Sequence, residues 1–148
     1  MRRALPVAAL AIGLSFVLAL TVVAQTSETF GKAKLNVQDG EKTKSVDAIV
    51  RYDADALVVV DKKGASLKSM PYVNMKGAEY SYAKSPRWKT AIFVSPLFLF
   101  TSGKKHWFMV QGEGDYAVLQ LDKSNYRMVL GAFESKTGKT VELVEDNK

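Results

Sequence analysis

His106 is the only histidine in the chain, and the chain has no cysteine. These two counts bound the available chemistry. A two-histidine zinc motif, a thiolate metal site, a thiol nucleophile and a disulfide framework all lack their residues. A Ser-His-Asp triad needs a base oriented by a carboxylate and a serine on a strained turn. The sequence has no G-x-S-x-G to supply that turn. His106 stands between Lys105 and Trp107 in a segment with strand character, where a histidine is structural or surface-exposed. An enzyme pairing His106 with a nearby carboxylate is the weakest of three functional readings.

The remaining polar groupings are equally poor in catalytic chemistry. Gly112-Glu113-Gly114-Asp115 has the glycines of a phosphate loop, but it joins two strands, carries two acids and is not followed by a helix. Asp53 with Asp55, and Glu145 with Asp146, fall in an expected turn and in the tail. Lys104-Lys105 could attract an anion or simply be a solvated turn after Gly103. No catalytic, cofactor-binding or metal-binding residue is assigned, and no cofactor is expected. The chemistry that remains is binding.

The segment best suited to binding surrounds an apolar run, Ala91–Phe100, with no charge and only one hydroxyl. It is about half as long as a membrane-spanning helix, and Pro96 interrupts it. A bend at Ser95-Pro96 is expected, with Ile92, Phe93, Val94 and Leu97 in the core. Phe98, Leu99 and Phe100, if outside, expose several hundred Å² of apolar surface, the range of an interaction site. Arg87, Trp88 and Lys89 lie on one flank and Lys104, Lys105 and Trp107 on the other, a mixture found at protein interfaces and membrane surfaces. These nine residues are the candidate interaction set.

The compartment is read from the N-terminus. Met1-Arg2-Arg3 is a short basic region, Ala4 to Val23 is almost wholly apolar, and Val22-Val23-Ala24 ends in a small residue before polar Gln25-Thr26-Ser27-Glu28. This is the layout of a secretory signal peptide over residues 1–24, which implies a periplasmic or secreted protein. The rival is an uncleaved anchor in the inner membrane, since about 20 apolar residues can span a bilayer. Without Arg2 and Arg3 the net charge falls from +6 to +4. The charges are interspersed, and an exported protein of this kind is not expected to meet nucleic acid.

The elements that must position these groups are mostly strands. Residues 25–45 read as a polar lead-in with a short strand at Ala33–Val37. Val46, Ala48, Val50 and Tyr52 alternate with polar residues, which gives a strand with one buried face. Asp53-Ala54-Asp55 makes a turn, and Leu57–Val60 reads as a strand covered on both faces. Asp61–Gly64 turns the chain into a partner strand, Ala65–Met70, ended by Pro71. Gly77–Ala83 places Ala78, Tyr80 and Tyr82 on one side; Lys105–Gln111 does so for His106, Phe108 and Val110, and Tyr116–Leu121 for Ala117, Leu119 and Leu121. Tyr126, Val129, Leu130 and Phe133 then form a helical stripe, with Asp122 or Ser124 as cap and Gly138 as stop. Residues 141–148 read as a polar tail.

The hairpin at LVVVDKKGASLKSMPY, and the two strands and helix of KKHWFMVQGEGDYAVLQLDKSNYRMVLGAFESKTG, resemble the pleckstrin-homology-like (PH-like) fold, in particular its bacterial GRAM-like members. The resemblance covers residues 46–140. It implies a mainly β domain, a bent sandwich or partly open barrel of six to seven antiparallel strands closed by one C-terminal amphipathic helix. Phosphoinositide-binding members place Lys and Arg around the first hairpin loop; with that loop taken as Tyr52–Asp55, two carboxylates would repel a phosphorylated head group, so no phosphoinositide ligand is expected. The resemblance implies a module that binds a protein partner or a lipid surface, with a homo-oligomer as one way to cover the apolar run. A carrier of a small hydrophobic ligand between the sheets is the alternative.

Overall fold

A computed structural model of the chain describes residues 27–39, 42–86 and 103–145. Among these are eight strands and one α-helix: β1 (Glu28–Asp39), β2 (Lys42–Tyr52), β3 (Ala56–Val60), β4 (Ser66–Pro71), a 3-10 turn (Tyr72–Asn74), β5 (Met75–Ala83), β6 (Lys105–Gly112), β7 (Tyr116–Leu121), α1 (Tyr126–Thr137) and β8 (Val141–Leu143). They form one open sheet in the order β4-β3-β2-β1-β7-β6-β5-β8. Every neighbouring pair is antiparallel except β5 and β8. This is the expected PH-like bent sandwich with its C-terminal helix, enlarged at both chain ends.

The lead-in is the first enlargement. The short strand expected there at Ala33–Val37 extends over Glu28–Asp39 as β1, the strand that joins the two halves of the domain. β1 pairs with β2 along almost its whole length and with β7 only through Lys34–Asn36. The register of β1 on β2 shifts between Phe30 and Ala33, and Lys32 within the shift has φ 59°. An extra residue in a strand bends it and raises its twist, which lets β1 turn from one half toward the other. Ala33 and Leu35 point into the core, 4% exposed each. At the other end of the chain, Val141–Leu143 leaves the expected tail to pair with Ala78–Tyr80.

The predicted alternations are seen in the core. Ala48, Val50 and Tyr52 of β2, Leu57 and Val59 of β3, Phe108 and Val110 of β6, and Ala117, Leu119 and Leu121 of β7 share one buried cluster with Val129, Ala132 and Phe133 of α1. The Phe108 and Phe133 rings meet edge to face at 5.7 Å. Ala56, Val58 and Val60, on the other side of β3, pack with Ile49. β3 is thus covered on both faces, as its unbroken apolar run implied.

One local expectation changes. The helix is capped at Asn125, which makes no side-chain cap bond; its amide donates instead to Gly31 O at 2.9 Å and pins the helix start to the β1 bulge. The Asp122 carboxylate is taken up by the Ser124 backbone and hydroxyl, while Asp122 O accepts from Tyr126 N. Gly138 ends the helix as expected, at φ 69°, with its N–H donated to Glu134 O.

Candidate functional site

The C-terminal end of β5, the N-terminal end of β6, the end of β7 and the start of α1 meet at one corner. Ala83 pairs with Lys105, Tyr82 with His106, and His106 in turn with Leu121. Because side chains alternate along a strand, Tyr80 and Tyr82 point the same way as His106. Asn125 holds the helix so that Tyr126 joins them. The His106 ring lies 4.6 Å from Tyr82 on one side and 4.0 Å from Tyr126 on the other, with interplanar angles of 28° and 15°. Tyr80 stacks on Tyr126 at 5.5 Å, and its hydroxyl stands 2.6 Å from His106 Nδ1.

Cations stand at both ends of this ladder. Lys104 Nζ lies 5.9 Å from the Tyr82 ring centre, and the Arg127 guanidinium 5.7 Å from that of Tyr126. Arg127 Nε also donates to the Tyr126 hydroxyl at 3.0 Å. Burial, and then the neighbouring Tyr126, push the Tyr80 phenol up to about 12. Removal from water also lowers the His106 pKa, with the Asp122 carboxylate opposing in part. The imidazole is therefore neutral at neutral pH.

This geometry does not make His106 a base of the triad type. Its hydrogen-bond partner is a phenol, not a carboxylate. Among the described residues no group of three or more His, Asp or Glu is arranged to hold a metal ion. The ladder can instead stack, donate from its hydroxyls and present positive charge.

The candidate interaction set divides. Arg87, Trp88, Lys89, Phe98, Leu99 and Phe100 lie outside the described residues. Lys104 and Lys105 are exposed, at the ladder corner. Trp107 is fully buried, and its indole N–H donates to Ala83 O at 3.0 Å. It faces away from the main core and clusters with Met109, Val118 and Tyr116. Trp107 therefore leaves the exposed set: its neighbours Lys105 and His106 reach the corner, while alternation turns Trp107 to the opposite side of the sheet.

The acidic turn follows the second strand and not the first. Tyr52–Asp55 lies between β2 and β3, whereas the first antiparallel pair along the chain is β1 with β2. The repulsion expected at the first loop therefore belongs to the second. There Asp53 forms a two-pronged ion pair with Arg51 at 2.8 and 3.1 Å.

Three pockets lined by described residues hold about 180, 270 and 90 Å³. All open to solvent at margins of the sheet. The 270 Å³ pocket lies where β1 diverges from β7, between Val37, Leu67 and Ala117. Each is smaller than the ~300 Å³ at which small-molecule sites begin. Between the halves, Phe108, Phe133, Leu57, Leu119 and Val50 are fully buried.

Sequence reasoning placed His106, Tyr80 and Tyr82 on shared faces but did not find the ladder. The signal it lacked was the register of β5 on β6, together with the approach of Tyr126 from the helix.

No family model matches the chain, and no curated protein matches it. Among solved structures, the chain is similar to one in the structure of the Spt16D Pob3N heterodimer, at 12% identity and a TM-score of 0.52. The likeness covers 82% of this chain and 55% of that one, so this chain spans about half the length of its structural relative. At that identity it is the fold that is shared.

Proposed function

We propose that the protein is an exported, non-catalytic binding module that presents the basic-flanked, apolar and aromatic segment 87–107 to a protein partner or a membrane surface. The observation that carries this reading is the end of the sheet from which that segment departs and to which it returns. Lys84, Lys104 and Lys105 are exposed there, and Tyr82 is 50% exposed. The large side chains buried between the halves, Phe108, Phe133, Leu57 and Leu119, favour an outward-facing role over a carrier for a hydrophobic ligand. The N-terminal apolar segment supports export, to the periplasm or beyond; anchorage in the inner membrane is the alternative.

The test is co-sedimentation of residues 25–148 with phospholipid vesicles, with light scattering for mass, on the parent and on Phe98→Ser/Phe100→Ser. Vesicle binding lost in the double variant supports a membrane surface, and a dimer split by it supports a second copy as partner. A monomer that binds neither vesicles nor protein partners, and is unaltered by the double variant, overturns the reading.

A further inference from the structure

Tyr82, His106 and Tyr126 form the centre of a surface that gathers charge from five elements. Lys104 and Lys105 come from β6 and its approach, Lys84 from the end of β5, Lys123 from the β7–α1 connection, Arg127 from α1, and Lys32 from the β1 bulge. All six are exposed. They share one corner because of the ring contacts already described and because Asp122, close enough to His106 to act on its charge, is itself acted on by Lys32 and Lys123. Asp122 is the acid that faces this group, and Ser124 already takes up its carboxylate.

We propose that this corner docks on an anionic phospholipid surface, with His106 as the residue whose protonation strengthens the attachment. The inference rests on the surface-binding reading above and names the surface. Charge complementarity selects an anionic partner. Breadth selects an extended one, because the six cations come from five different elements spread around a stack of rings. Tyrosine rings and lysine side chains, apolar in the body and polar at the tip, suit the head-group layer.

The groups facing His106 set the sign of its effect. Tyr80 and Tyr82 face it from β5, Asp122 from the end of β7, and Tyr126 from α1; Lys104 and Arg127 stand beyond the outer rings. In the unattached protein the loss of water disfavours a charged imidazole, with Asp122 opposing in part. An anionic surface adds negative potential beside the ring, and the Tyr82 and Tyr126 faces can hold an imidazolium between them. Proton uptake and attachment are thereby linked.

The experiment compares residues 25–148, which contain the whole sheet and helix, on phosphatidylcholine vesicles with and without phosphatidylglycerol. Binding is expected only with phosphatidylglycerol, and it should fall at least about tenfold in Lys32→Glu/Lys123→Glu/Arg127→Glu, given the contribution of each cation near such a surface. It should rise severalfold between about pH 7.5 and about pH 5.5, and His106→Phe, which keeps the stack, should remove most of that rise. Glutamine at the same three positions, giving an intermediate loss with an unchanged circular dichroism spectrum, separates charge from folding. Binding that is indifferent to phosphatidylglycerol or to the charge reversal overturns the proposal, as does capture by polyglutamate without capture by vesicles. Loss of binding in Phe98→Ser/Phe100→Ser alone, with the charge reversal silent, overturns this inference but leaves the surface-binding reading standing.

Discussion

The Tyr52 hydroxyl donates to the Val129 carbonyl oxygen at 2.8 Å, a bond between residues 77 apart in the chain. Tyr52 ends β2 and is fully buried, and Val129 lies in the second turn of α1. The carbonyl can also receive its ordinary helical bond from Phe133, since a carbonyl has two lone pairs. The phenol therefore adds an anchor between helix and sheet without costing the helix a bond. Tyr52→Phe should remove about 1 kcal/mol of stability and lower the melting temperature by about 4 °C, as read by thermal unfolding.

The same phenol predicts alkaline lability. Burial raises the Tyr52 pKa far above its ordinary value near 10, and burial also pushes Tyr72 up to about 12. A group that binds its proton more tightly when folded contributes stability that is complete below the unfolded pKa. That contribution is lost as pH rises toward the folded value. Urea midpoints should therefore fall above about pH 10, and they should fall less in Tyr52→Phe. An identical alkaline loss in parent and variant would contradict this assignment.

Phe108 and Phe133 meet edge to face under the helix. Phe133→Ala removes a fully buried ring from the junction of α1 with β6. A loss of about 3–5 kcal/mol is expected, measured as a shift in denaturant midpoint without a change in slope.

Which elements could be read from the chain follows from how each is held. β2, β3, β6, β7 and α1 carry their buried faces as repeating apolar positions, so Val50, Leu119 and Phe133 were legible as core. β1 was legible only as a short strand at Ala33–Val37, because Ala33 and Leu35 are the only two of its residues that are buried. It is a strand because β2 and β7 flank it, and a sequence does not display its neighbours. β8 has three residues and is held by β5 and by Glu134, whose carboxylate accepts from Val141 N at 2.9 Å. The ladder has the same character. Tyr80 and Tyr82 alternate in plain view, but the placement of Tyr126 against His106 depends on Asn125 binding Gly31 O, a contact between residues 94 apart.

Trp107 carries a prediction that separates packing from surface contact. A ring fully removed from solvent and bonded through its indole N–H should cost about 3–5 kcal/mol on truncation to Ala. In a protein with Trp88 replaced by Phe, Trp107 should show blue-shifted emission that acrylamide quenches poorly. Red-shifted, readily quenched emission would return Trp107 to the exposed interaction set.

The ladder also fixes how stability responds to mild acid. The His106 pKa is lowered in the folded protein, chiefly because the stack removes the ring from water. The unfolded chain, with an ordinary histidine near pKa ~6.5, therefore takes up the proton first. The stability contributed by neutral His106 is present above that pH and is lost as pH falls through the folded value. Asp122 titrates in a lower window, because Ser124 holds its carboxyl below the ordinary carboxylate range. Denaturant midpoints at about pH 7.5 and about pH 5.5 should thus differ in the parent and converge in His106→Phe, where stacking persists and titration does not. Addition of phosphatidylglycerol vesicles should shrink the parent's acid loss, since an anionic surface favours the imidazolium. An acid loss of equal size in both proteins would place its origin in the carboxylates and remove His106 from the account.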